Sequence, residues 1–156
     1  MQINRRSFLK GTAAGLGAAA VASPYLFIPN PAFAEPWITK GGTIKVGILF
    51  SQTGNLSVVE NDSTQVLLYA FEEINKNGGV AGQEVEPVVV DAKSDIKVYS
   101  EKVSQLILRD RVVSVFGGYT SASRRAMAPI VMSRDHLLYY PTCYEGRECT
   151  QNIINT

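Results

Sequence analysis

Histidine, cysteine and tryptophan are scarce in this chain: 156 residues hold one His, two Cys and one Trp. A single histidine and two cysteines, Cys143 and Cys149, give no recognisable metal-ligand spacing, so no metal site is expected. Charge of one sign is also missing, with 15 basic residues against 14 acidic. That balance excludes the basic field of a nucleic-acid binder and the acidic run of a disordered tail. Nothing calls for a cofactor. The glycines of NGGVAGQE follow a predicted helix and precede a predicted strand, the reverse of the phosphate-binding order. Catalytic apparatus is equally thin. A hydrolase needs a nucleophile with a base in reach. Ser121 or Ser123 is a conceivable partner for His136 and Asp135, but no G-x-S-x-G elbow surrounds either serine. Glu145 and Glu148 read as solvated loop carboxylates, not an acid/base pair. No catalytic residue is therefore expected.

What is present begins with an export signal. Three of the 15 basic residues and none of the acidic ones lie before residue 35, leaving 12 basic against 14 acidic in the remainder. Arg5-Arg6-Ser7-Phe8-Leu9-Lys10 fits the twin-arginine pattern R-R-x-F-L-K, with Arg5, Arg6, Phe8 and Leu9 as its defining positions. An Ala/Gly-rich stretch follows, then Ala32-Phe33-Ala34, an A-x-A cleavage pattern. Residues 11–28 are long enough to span a bilayer, but their small residues and the cleavage site after them favour a removed signal. The expectation is export by the twin-arginine machinery, cleavage after Ala34 and residence in the periplasm. Residues 35–42, including Trp37, read as a loose leader. In an oxidising compartment a Cys143–Cys149 disulfide becomes possible, and Gly146 between them would let the short loop close.

The hydrophobic share, 46%, suffices for one core in a chain of this length. GGTIKVGILFS reads as a buried strand, with Ile44, Val46, Ile48 and Phe50 on one side and Leu49 on the other. NDSTQVLLYAFEEINKNGG reads as an amphipathic helix through Val66, Ala70 and Ile74, with Leu67 and Phe71 beside them. Its expected caps are Asn61 to Ser63 and its stop is Gly78. VEPVVVDA is a second strand, with Pro87 near its start. DIKVYSEKVSQLILRD is a second helix facing the core with Ile96, Tyr99, Val103, Leu106 and Ile107. RVVSVFGG, SASRRAMAPIVMSRD and HLLYYP supply a third strand, a third helix that Pro129 should kink or restart, and a fourth strand. NIINT opens another strand. Strands and helices alternating at this spacing predict an α/β fold with a parallel sheet and helices on both faces.

In such sheets ligands bind outside the carboxyl ends of the strands. Three strand ends are rich in hydroxyl, amide or phenol groups: Ser51-Gln52-Thr53-Gly54, Gly117-Gly118-Tyr119-Thr120-Ser121 and Tyr139 to Thr142. Gly117-Gly118 permits close backbone approach. Ser121, where a helix starts, sets its hydroxyl beside free N–H groups. Tyrosine joins a flat apolar body to one hydroxyl that donates and accepts. These groups suit a pocket for a small neutral polar molecule, and equally suit rings that only pack a strand edge. Arg124-Arg125 reads as a solvated helix face.

IKVGILFSQTG, EEINKNGGVAGQEVEPVVVD, VFGGYTSASRRAMAPI and LLYYPTCYEG together resemble the urea- and short-chain-amide-binding proteins of ABC transporters. They also resemble the related amide sensor of the aliphatic amidase operon. The resemblance runs over residues 43–156. It implies the flavodoxin-like N-terminal lobe of the type I periplasmic-binding fold, shared with leucine/isoleucine/valine binders. It also implies a small neutral amide or urea ligand and an ABC permease as partner. The family's ligand-contacting serine falls on Ser121, with Tyr119 two residues before it. The tyrosine and threonine of the Y-P-T segment fall on Tyr140 and Thr142. The sensor-like branch has threonine at that last position and urea binders valine, which tilts the expected ligand towards amides. Tyr144, Glu145 and Gly146 match the motif as a turn.

Family members have two lobes that close on the ligand between them. This sequence stops at Thr156, within the first lobe or at its first crossing, so the resemblance implies that the second lobe is missing and that ligand binding is weak. A periplasmic amide sensor or interaction module, or a fragment without function, are the alternatives to a transporter component.

Overall fold

The computed structural model describes residues 42–142, 144, 146 and 149–156. Five strands form one sheet in the order β2-β1-β3-β4-β5. They are β1 (Ile44–Phe50), β2 (Val85–Asp91), β3 (Ser114–Gly117), β4 (Leu138–Tyr140) and β5 (Ile153–Asn155). All neighbours pair in parallel. This is the doubly wound arrangement expected from the alternating pattern, in its flavodoxin-like strand order. Pro87 sits in β2, which pairs only with β1. An edge strand is where a residue without an N–H does least harm to a ladder.

Helix α1 (Ser57–Lys76) follows β1, α2 (Ile96–Gln105) follows β2, and α3 (Ser121–Ser133) follows β3. The alternation of β1 divides the core in two. Ile44, Val46, Ile48 and Phe50 join Phe71 and Val85 on one face, with Leu67 and Leu68 of α1 against them. Leu49 joins Tyr99, Val103, Leu106, Met127, Val131 and Leu138 on the other, the face of α2 and α3. Gly47 keeps that second face open, because a β-carbon there would stand 3.0 Å from Leu106. A π-helical turn, Leu106–Asp110, extends α2 and buries both Leu106 and Ile107.

Several sequence expectations are corrected. Helix α1 starts at Ser57, not at Asn61 to Ser63, and those proposed caps lie inside it. Its buried side is Glu60, Thr64 and Phe71, while Val66 is 66% exposed and Ile74 is also exposed. The stripe through Val66, Ala70 and Ile74 has helical spacing but points outward, since the buried carboxylate of Glu60 fixes which side faces in. Ile96, in the first turn of α2, is exposed as well. Pro129 does not restart α3, which is one continuous helix. Pro129 and Arg125 both lie on its exposed side, where water replaces the single helical bond that proline removes.

One very close backbone contact joins β1 and β3. Leu49 and Gly117 are register partners, and Gly118 N donates to Leu49 O at 3.1 Å. A β-carbon on Gly117 would fall 2.1 Å from Leu49 O and 2.8 Å from its carbonyl carbon. Backbone cannot swing aside as a side-chain tip can. Gly117→Ala is therefore expected to destabilise the fold by about 1–3 kcal/mol or more, the cost of overpacking. Guanidinium unfolding checks it, and an unchanged midpoint would refute the close approach.

Candidate functional site at the carboxyl edge

The chain order reverses direction between β1 and β3, so the crevice outside their carboxyl ends is where this topology places a ligand. The three predicted loops do converge on that edge. Gly118 follows β3 with φ +83°, and a β-carbon there would also meet Met127 at 2.8 Å. The positive φ favours glycine here, whereas the Met127 methyl is a flexible tip that can give way. Thr120 then caps α3. Its Oγ1 accepts from Ser123 N at 3.1 Å, and Ser123 Oγ accepts from Thr120 N at 3.2 Å, a reciprocal capping box.

Tyr119, Tyr140 and Thr142 are brought together by one carbonyl. Tyr140 Oη donates to Tyr119 O at 2.9 Å, and Thr142 Oγ1 donates to the same oxygen at 3.0 Å. These bonds clasp the β4 loop to the β3 loop. Tyr140 is fully buried, so its ring is a supporting wall inside the lobe. Tyr119 is exposed, and Ser121 and Thr142 are half-buried. Ser121 opens α3 directly after its cap. Cys149 is exposed. Cys143, Glu145 and Glu148 lie outside the described residues, as do Arg5, Arg6, Phe8, Leu9 and Trp37.

Arg124 is another correction. It is 3% exposed, and its guanidinium lies over the Tyr140 ring, 4.9 Å from the centroid. A cation over a tyrosine face is attractive when shielded from water. Arg125 alone takes the solvated position expected of both. Two of the groups weighed for catalysis are engaged elsewhere. Ser123 serves the capping box, and His136 Nε2 pairs with Val112 O at 2.7 Å. Among the described residues no cluster of His, Cys, Asp and Glu could hold a metal ion.

Two features under this edge were not foreseen. Glu60, from the first turns of α1, is fully buried. Its Oε2 accepts from Ser51 N, at the end of β1, and from Tyr99 Oη of α2. Ser51 Oγ lies 3.2 Å from the same phenol and accepts from Ser94 N at 2.9 Å. Burial pushes the Tyr99 hydroxyl well above its ordinary range, and the bond to Glu60 adds to that, so Tyr99 stays a neutral donor. The second feature is Asp91 at the end of β2. Its carboxylate accepts from Gln52 N at 2.8 Å, Thr53 N at 3.2 Å, Thr53 Oγ1 at 2.6 Å and Lys93 N at 2.8 Å. Burial alone would raise its pKa. The hydroxyl and backbone donors outweigh it and hold the group below its ordinary value.

Comparison with known proteins shows the family of this lobe. Residues 44–156 match the periplasmic binding protein domain family. Residues 2–22 match the twin-arginine translocation pathway signal sequence, in keeping with export to the periplasm. Leu/Ile/Val-binding protein homolog 7 of Brucella abortus is 35% identical over 85 residues, which are 54% of this chain and 21% of that protein. The branched-chain amino acid substrate-binding protein LivJ of Streptococcus pneumoniae, solved with isoleucine, superposes with TM-score 0.69 at 25% identity. That match covers 72% of this chain and 33% of LivJ. A Rhodopseudomonas palustris solute-binding protein solved with benzoate shares the fold, with TM-score 0.63 at 21% identity over 73% of this chain and 32% of that one. The chain thus spans about a fifth of the curated relative and about a third of the solved ones.

Two outcomes are expected here. Tyr99→Phe removes one of the two protein donors to the buried Glu60 carboxylate and should cost about 1.5–3 kcal/mol, the range for a hydrogen bond to a charged group. Equal stability of variant and parent in guanidinium would contradict that network. Asp91 has a folded pKa below the unfolded value of about 3.9. Its contribution is therefore complete above roughly pH 4 and fades as pH falls through the folded value. Asp91→Asn should flatten that acid limb of the stability profile, and an unchanged limb would count against it.

Proposed function

The chain belongs to the periplasmic binding protein domain family, and from that premise we propose that it is a solute-binding component of an ABC transporter that takes urea or a short-chain amide. It would act in the periplasm, after twin-arginine export and cleavage behind Ala34, and hand its solute to a permease in the inner membrane. The observation that carries the ligand reading is the chemistry of the carboxyl edge. Tyr140 and Thr142 hold the Tyr119 loop by its carbonyl, beside the exposed Tyr119 and the half-buried Ser121 that opens α3. A hydroxyl at a helix N-terminus suits a carbonyl oxygen.

Among the described loop residues, the carboxylates are already committed. Asp91 serves four donors, and Asp95 caps α2 by accepting from Lys97 N at 2.7 Å. Those donors are neutral and leave both groups charged, so the neutral-solute reading rests on the hydroxyl and helix-start chemistry of the edge. A branched-chain amino acid is the second reading. The N-terminus of α3 suits a carboxylate as well as an amide oxygen, and LivJ was solved with isoleucine.

NMR titration of the chain with acetamide, urea and isoleucine tests both readings and tolerates weak affinity. Acetamide or urea should shift residues 117–121 and 140–142, and Ser121→Ala should weaken binding by roughly 1–3 kcal/mol. Shifts with isoleucine alone would move the ligand to amino acids. No shift with any of the three, in a folded sample, would defeat the binding assignment.

A further inference from the structure

A groove of about 650 Å³ opens at the other end of the sheet, beside the starts of β1 and β2 and the last turns of α1. Its floor is apolar: Leu68, Phe71, Val85 and Pro87. Its rim carries three glutamates and Lys76, and Lys45 Nζ stands 4.0 Å from Glu86, so acid outnumbers base there. Lys76 is already held by Glu72 at 3.0 Å and Glu73 at 3.1 Å. Thr43 lines the groove and donates to Glu86 Oε2 at 2.7 Å. The chain therefore enters β1 along the groove's own wall.

The seven residues just before that point are Glu-Pro-Trp-Ile-Thr-Lys-Gly, residues 35–41, followed by Gly42. They lie outside the described residues. They supply what the groove lacks: an indole and an isoleucine for the floor, and Lys40 for the acidic rim. Gly41-Gly42 gives the backbone the freedom to reverse. Five residues lie between Trp37 and Thr43, six steps that reach at most about 20 Å, so the indole is tethered close to the groove. We propose that residues 37–40 fold back over Gly41-Gly42 and dock here, with Trp37 and Ile38 on the apolar floor and Lys40 against Glu84 and Glu86. An indole that docks this way removes roughly 150–250 Å² from water. Residues 35–42 then act as a clip on the amino end of β1 and not as a loose leader.

Trp37 is the sole tryptophan, so its fluorescence reports one place. In the folded chain recovered from the periplasm, its emission should be blue-shifted and its quenching by acrylamide several-fold weaker than in guanidinium. Leu68→Lys, which puts a charge on the groove floor, should restore full quenching. Should that variant fail to fold, Lys40→Glu and Glu84→Lys serve instead: each alone should raise quenching, and the pair together should bring it back towards the parent. Quenching equal in the folded and unfolded parent would overturn the proposal. So would shielding that survives in the folded groove variants, because the indole would then be docked elsewhere. A periplasmic chain that lacks Trp37 would overturn it too.

Discussion

A single buried carboxylate organises the carboxyl edge of this lobe. Glu60 draws the N–H that ends β1 and the phenol of α2 onto one oxygen, and Ser51 ties the loop after β2 into the same cluster. Two stretches far apart in sequence, 51–60 and 94–99, are fixed relative to one another where the sheet changes winding direction. Isolation of such a charge from water is costly unless donors surround it. Part of that cost is offset once α1, α2 and the end of β1 are in place; both donors meet Oε2, and Oε1 has no hydrogen-bond partner among the described residues. The network thus couples local helix placement to the complete topology, and it explains why α1 presents Glu60 and Thr64 inward while Val66 faces solvent.

The edge above it is built on the same logic of committed polar groups. Asp91 gathers the turn after β1, the Thr120–Ser123 box starts α3, and the Tyr119 carbonyl receives two hydroxyls from the β4 side. Most polar atoms that a sequence would offer to a ligand are instead used to shape the loops. The exposed Tyr119 ring and the start of α3 lie at the same edge.

Much of the fold is legible in the sequence, because strand alternation and glycine placement are local signals. The two-sided pattern of β1, the short spacing between elements and the Gly117-Gly118 pair all lead to the observed parallel sheet. The Tyr119, Tyr140 and Thr142 set is legible as a location, since each follows a strand on the same edge. Its bonding is not legible, because a tyrosine that packs and a tyrosine that lines a pocket look alike in one sequence. The misplaced start of α1 has a definite cause. Glu60-Asn61-Asp62 has the composition of a helix cap and a solvated turn, and nothing local says that Glu60 will meet Tyr99, 39 residues away. Arg124 hides for the same reason, since its cover is the Tyr140 ring from a later strand.

The two edges of the sheet differ in kind. On the β2 side, Pro87 interrupts the row of backbone donors that an incoming strand would need. On the β5 side, Ile153–Asn155 contains no such interruption. The sheet is therefore polar with respect to growth. A further strand, from whatever source, finds a continuous template beside β5 and a broken one beside β2, so the lobe resists edge-to-edge stacking in one direction while staying open to extension in the other.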